Sequence, residues 1–212
     1  MMTAGEAFER LRKGNDRFVS SLRSPTSRLE TDRRPQLGAG QEPFAVILGC
    51  SDSRVPAELV FDQGFGDLFV IRVAGNIVAP SQVGSVEFAA ERFGTPLVVV
   101  LGHSRCGAVL ATVEAIGRPA SSPGPNLRSI VERIRPSVAP LMPRGGAASD
   151  ALVEEAVRAN IRVSAEHLRA GSEILERRVT AGGLLVVGAE YSLETGVVDF
   201  FDGAPETPRG AA

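Results

Sequence analysis

Five short runs that are apolar at nearly every position constrain this chain more than any other feature. They lie at 44–49 (FAVILG), 67–73 (DLFVIRV), 96–101 (PLVVVL), 183–188 (GLLVVG) and 196–201 (GVVDFF), and most are bounded by glycine or proline. A run without alternation has no solvent face, so each reads as a strand buried on both sides. Helical patterns separate them. Residues 4–22 form an amphipathic pattern with Phe8, Leu11, Phe18 and Leu22 near one face and Gly14 as a weak point. Further helices are expected at 84–93, 107–116 and 126–138, the last stopped by Pro140 and Pro143. The stretch 149–180 reads as a long helix, capped by Ser149 or Asp150 and broken at Gly171. Buried strands alternating with helices predict an α/β fold with a mainly parallel sheet of about five strands.

The whole chain, 1–212, is expected to form a single domain. Its first 43 residues split into the helix and an arm at 24–43 rich in Pro, Ser, Arg and Gly, and the end, 203–212, reads as a flexible tail. Neither helix nor arm has an obvious place inside a compact domain, so both are expected to pack on a partner subunit.

With 23 basic and 25 acidic residues, a net charge of −2 and scattered arginines, nothing suggests a nucleic-acid or anionic membrane partner. The opening MMTAGEAFERLRKG is charged early and lacks an apolar h-region, and no apolar run is long enough to span a bilayer. A cytoplasmic protein is the expectation, in which a disulfide is disfavoured.

The chain has two cysteines, Cys50 and Cys106, and two histidines, His103 and His167. Cys50 directly follows the first strand, and His103 and Cys106 directly follow the third. In open parallel sheets functional groups gather beyond the carboxyl ends of the strands, so these three converge if the two strands are neighbours. Two thiolates and an imidazole suit zinc, and a catalytic zinc site uses three protein ligands with one position open. A helix starting near Cys106 would aim backbone N–H groups at its sulfur, and Gly102 and Gly107 permit close approach of backbone to metal or substrate. His167 lies among Arg, Glu and Ala in the long helix and reads as a surface or groove histidine.

Asp52 and Arg54 stand beside the first ligand. Asp52 as a fourth ligand would close the site, whereas a bidentate pair with Arg54 would hold it away and admit water. The expectation is a pH-dependent gate, with Asp52 on zinc at low pH and hydroxide on zinc at higher pH.

These residues resemble the β-class carbonic anhydrases. The similarity rests on CSDSRVPAE (50–58), GDLFVIR (66–72), GSVEFA (84–89) and LGHSRCGAV (101–109), with LRKGNDRF (11–18) and VVGAEYSLETGVVDF (186–200) also similar. The resemblance implies one zinc ion per chain on Cys50, His103 and Cys106, with the Asp52–Arg54 dyad beside it. It implies reversible hydration of carbon dioxide to bicarbonate and a proton, by attack of zinc-bound hydroxide. It also implies a homodimer or homotetramer with the site near the subunit interface. By matching position Gln41 is the substrate-orienting glutamine, Phe69 a pocket wall, and Phe88 stands where many relatives have tyrosine; with Gly107 these make up the expected substrate-binding set. Some relatives hold an inhibitory bicarbonate with Trp, Arg and Tyr; here Ile47 replaces the Trp while Arg72 and Tyr191 match.

Two other readings keep the metal: a hydrolase of carbonyl sulfide or carbon disulfide, and a non-catalytic protein with a closed zinc site. A redox pair has no C-x-x-C to support it. No Walker-type loop is present, and Gly64-Phe65-Gly66 precedes a strand instead of linking strand to helix, which argues against a nucleotide fingerprint.

Overall fold

The computed structural model describes residues 2–23, 38, 40–117, 124–143 and 149–205. Most of the expected arm, most of the 117–126 loop and the end of the tail lie outside the described residues.

Helix α1 spans Ala4–Arg23, strand β1 Ala45–Gly49, the short helix α2 Ala57–Val60 and strand β2 Leu68–Arg72. A 3-10 turn at Ala74–Asn76 leads to α3 (Pro80–Arg92), β3 (Leu97–His103), α4 (Gly107–Gly117) and α5 (Pro125–Val138). Then come α6 (Asp150–Ala170), α7 (Glu173–Thr180), β4 (Leu185–Tyr191) and β5 (Val198–Asp202). The five strands form one sheet in the order β2-β1-β3-β4-β5, parallel except for the antiparallel β4–β5 pair. The two central strands, β1 and β3, are buried at every position, as their unbroken apolar sequences require.

Each face of the sheet carries its own core. Val46, Leu48, Val98, Val100 and Val186 point toward α3 through α7. Ala45, Ile47, Leu97, Val99 and Val187 point toward α1 and α2. The chain leaves β1 toward β2 through α2 on one face, then crosses back over β1 to β3 through α3 on the other. Moving in opposite directions on opposite faces keeps both crossovers right-handed. The reversal opens a crevice between the carboxyl ends of β1 and β3, where such sheets place their ligands.

Several boundaries differ from the sequence reading. β3 continues through Gly102 and His103, and β4 through Glu190 and Tyr191, because ladder pairing carries on (Gly102 with Glu190, His103 with Tyr191) after the apolar run stops. His103 is therefore a strand residue. Helix α3 starts four residues before the expected 84, with Pro80 in its first turn, where proline's missing N–H costs nothing. The long helix does break at Gly171; Ser149 caps α6 by accepting from Leu152 N–H, and Ser172 caps α7 by accepting from Leu175 N–H.

The N-terminal helix, expected to pack on a partner subunit, has a place on its own domain. Ala7, Phe8 and Leu11 are buried against the chain's own sheet face, because β1, β3 and β4 leave an apolar surface there that α2 is too short to cover. Buried Asn15 locks the helix down. Its amide donates to the carbonyls of Val60 (3.1 Å) and Gly196 (2.9 Å), and its oxygen accepts from Val198 N–H (2.9 Å). Nor is Gly14 a weak point. A Cβ there would overlap the Phe61 carbonyl oxygen, so the missing side chain is what lets α1 approach.

Candidate metal centre

Cys50 leaves β1, His103 ends β3, and Cys106 caps α4, with its carbonyl accepting from Leu110 N–H at 3.0 Å. The ligand atoms of the three side chains lie within 4.8 Å of one another, and all three residues are buried. Tetrahedral zinc on two sulfurs and a nitrogen needs donor separations of about 3.5–3.8 Å, so a small contraction closes the triangle.

The histidine is set for this task. Its Nδ1 donates to the Ser104 carbonyl at 2.9 Å, which leaves the lone pair on Nε2. Nε2 is buried and finds no hydrogen-bond partner among the described residues. A buried, unpartnered lone pair between two sulfurs is costly unless something positive accepts it.

The sulfurs give the same indication. The Cys50 thiol is held well below its ordinary value, first by the hydrogen bond from Cys106, then by His103 and by the amides of Gly75 and Asp52, against the effect of burial. Cys106 is pushed up, first by that same hydrogen bond and then by burial, while the amides of Val109 and Ala108 pull the other way. Two sulfurs held this close disfavour two protons and two negative charges alike, so the space between them suits a cation. Burial alone would lower His103, yet the Cys50 thiolate, the Ser104 carbonyl and the Asp52 carboxylate leave it raised. The donor set fits zinc.

Asp52 closes one side of the cluster. Its Oδ2 lies 3.8 Å from His103 Nε2. Both its oxygens are engaged by Arg54: Nε to Oδ1 at 2.9 Å, Nη2 to Oδ2 at 2.7 Å, with the Arg54 backbone N–H on Oδ1 at 3.0 Å. This side-chain pair, in the first place, holds the Asp52 carboxyl far below the usual carboxylate range. The bidentate pair expected from the sequence is therefore made. Gly107 is exposed at the start of α4, and a Cβ there would meet nothing within 4 Å, so open space adjoins Cys106.

The other expected substrate groups are not brought to this cluster. Gln41 is exposed and lies before the start of β1, whereas Cys50 lies after its end. Phe69 pairs with Val46, three register steps or about 10 Å below the Gly49–Arg72 pair. It stacks with Phe88 and Phe93 instead, at 6.2 Å from each. Arg72 donates from Nε to the Cys50 carbonyl at 3.0 Å and from Nη2 to the Asp52 carbonyl, so its guanidinium supports the ligand loop. Tyr191 is buried beside Phe18 and Ile47 is fully buried. His167 lines a groove of about 710 Å³ between α3, α5 and α6, apart from the cluster.

Some supporting groups were not read from the sequence. The Gly75 N–H donates to Cys50 Sγ at 3.4 Å, and Asn160 Nδ2 donates to the Gly75 carbonyl at 2.8 Å. The turn between His103 and Cys106 is fastened to the β4–β5 turn. Ser104 N–H donates to the Tyr191 carbonyl, Ser104 Oγ accepts from Leu193 N–H, and Arg105 pairs with Glu194 at 2.7 Å. Asn160 did leave a trace: it falls on the apolar face of α6, with Ala156, Val157, Ile161, Ala165 and Leu168, where a polar residue calls for a partner.

Comparison with known proteins agrees with this geometry. A family model described as carbonic anhydrase matches residues 45–198. Carbonic anhydrase 2 of Mycobacterium tuberculosis is 42% identical over 190 residues, covering 90% of this chain and 89% of that protein. A carbonic anhydrase of Mycolicibacterium smegmatis is 39% identical over 194 residues, covering 91% of each chain. The solved structure of the β-carbonic anhydrase CcaA superposes with a TM-score of 0.70 at 28% identity, covering 92% of this chain and 95% of the other.

Proposed function

This chain belongs to the β-class carbonic anhydrase family, and from that premise we propose that it reversibly hydrates carbon dioxide to bicarbonate and a proton at one zinc ion held by Cys50, His103 and Cys106. The observation that carries the reading is the buried Cys2His triangle whose histidine nitrogen has no hydrogen-bond partner among the described residues. Zinc held there supplies a Lewis acid that lowers the pKa of a bound water toward neutrality.

The chain's own residues do the rest. Ser104 fixes the His103 tautomer, so the ring presents Nε2 and cannot rotate away. Asp52 stays ionised and acceptor-only, and Arg54 holds it beside the fourth position, where its carboxylate accepts a hydrogen bond from the reacting water. The bare Gly107 leaves room for a small linear substrate against Cys106. If Arg54 lets go, Asp52 is close enough to take the fourth position itself, which makes the pair a gate. A permanently closed zinc site would need Asp52 as a ligand, and both its oxygens are engaged elsewhere. No feature favours carbonyl sulfide or carbon disulfide over carbon dioxide.

The active form in this reading is an oligomer. Among the described residues strand β2 is an edge, paired only with β1, and the half-exposed Phe88 packs beside it on Phe69. An unpaired edge with an aromatic flank suits a second copy of the chain. Gln41, Phe69 and Phe88 then serve a partner's site instead of their own. A cytoplasmic location accords with two thiols kept for metal, and among the described residues no helix is long and apolar enough to cross a membrane.

Stopped-flow hydration of carbon dioxide by zinc-verified protein, from roughly pH 7 to 9, tests the reading. The expected result is fast hydration that rises with pH and is lost in Cys106→Ser. Zinc-loaded protein with no hydration at any pH would overturn it.

A further inference from the structure

The segment between β2 and α3 is pressed against the metal cluster and gripped from behind. Gly75 has φ +70 and is buried, and a Cβ there would lie 2.7 Å from Ile134 Cδ1 and 2.9 Å from Ala108 Cβ. Only glycine fits both that backbone conformation and that space. Its N–H points at Cys50 Sγ at 3.4 Å. Glycine is also the residue most free to turn its peptide elsewhere, so this aim needs a tether. On one side, Val73 ties the segment to β1, its N–H donating to the Gly49 carbonyl and its own carbonyl accepting from Ser51 N–H. On the other side the tether is Asn160, which is 2% exposed on α6 and donates from Nδ2 to the Gly75 carbonyl at 2.8 Å.

We propose that Asn160 is a positioning residue of the metal centre: by holding the Gly75 carbonyl it keeps the Gly75 N–H on the Cys50 sulfur and so sets how firmly that thiolate holds the metal. The inference rests on the reading of Cys50 as a zinc ligand. Its physical basis is general. An N–H donor draws electron density from a thiolate, stabilises it against protonation and orients its lone pairs toward the ion, and losing such outer support commonly weakens metal affinity by about 10- to 100-fold. The carbonyl and the N–H of Gly75 belong to different peptide units, so Asn160 acts by fixing the conformation of Gly75 and not by polarising one shared amide. A purely structural Asn160 would satisfy a buried carbonyl and nothing more.

The two roles separate in the full-length protein. Wild type, Asn160→Ala and Leu168→Ala are compared; Leu168 is a fully buried residue of the same helix, eight residues beyond Asn160, and its apolar side chain can make no hydrogen bond to Gly75. Zinc affinity is read by competition with a chromogenic chelator, and the thiolate-to-metal charge-transfer band is read in the cobalt(II)-substituted proteins. The expected result is a loss of zinc affinity of about 10- to 100-fold in Asn160→Ala and a shift of its cobalt band to lower energy, since a sulfur without its N–H donor gives up charge more easily. Leu168→Ala loses thermal stability but keeps both readings of the wild type. An Asn160→Ala protein with wild-type affinity and band overturns the proposal, as does a Leu168→Ala protein that moves as far as Asn160→Ala. If Asn160→Ala does not fold, Asn160→Ser, which is too short to reach Gly75, carries the same readings. Wild type that binds metal with a thiolate band but hydrates no carbon dioxide defeats the functional reading while leaving this one to its own data; wild type that takes up no metal defeats both.

Discussion

Asp52 is held by a cation on one side and lies 3.8 Å from His103 Nε2 on the other. In the proposed function, which neighbour it serves decides whether the fourth position of a zinc ion on Cys50, His103 and Cys106 is open. Arg54 is largely exposed and Asp52 is not, so the arginine is the partner that can leave. Replacing Arg54 by Ala frees Oδ2 and leaves Oδ1 with only the backbone N–H of residue 54. Hydration is expected to fall by roughly tenfold or more while zinc content stays at one per chain, read by stopped flow and metal analysis. An unchanged rate would remove the gating role. The same variant has a stability signature. A carboxylate whose folded pKa is depressed contributes stability that is present above the unfolded value and is lost as pH falls through the folded one. Arg54→Ala should therefore be less stable than wild type at neutral pH, with the gap closing in acid.

At the scale of elements, the position of α1 rests on two small residues. Asn15 joins it to the end of α2 and to the β4–β5 turn, which in turn fastens the segment from His103 to Cys106 through Ser104 and Arg105. The N-terminal helix is thus connected to the metal centre through one hairpin. Gly14 allows the close approach, and its substitution separates local from tertiary effects by sign. Helix propensity alone gives Gly14→Ala a gain of about 0.5–1 kcal/mol. The overlap with the Phe61 carbonyl makes it a loss, of roughly 1–3 kcal/mol. Chemical denaturation measures which prevails, and a stabilised variant would show that α1 does not sit where described.

Across the whole molecule, the sheet ends in two different edges. β5 is antiparallel to β4 and is partly covered by α1 through the Phe8–Phe200 stack at 4.9 Å. Among the described residues β2 has no such cover, and its own residues are half-buried to exposed. Light scattering is expected to give at least twice the chain mass, and Phe88→Glu, beside that edge, is expected to shift the protein toward monomer. A wild-type monomer with full hydration activity would remove both the oligomer and any part for Gln41 in a partner's site.

What the sequence determined by itself is whatever depends on residue type and on distance along the chain. The unbroken apolar runs of β1 and β3 have no solvent face, so a mainly parallel sheet with these at its centre followed from them, while β2 and β5, read as buried too, became partly exposed edges; a soft ligand placed directly after a buried strand must emerge at the sheet's carboxyl edge. Cys50, His103, Cys106, Asp52 and Arg54 were legible for that reason, as was the break at Gly171. The tertiary structure decided what depends on neighbours distant in sequence. The strand order put β1 beside β3, which turned two separate motifs into one cluster. It put α1 on its own sheet, because that face had apolar surface left to cover. It also set Asn160, 85 residues from Gly75, behind the Cys50 sulfur. A sequence lists the donors and acceptors a chain owns; only packing brings a particular donor within reach of a particular acceptor.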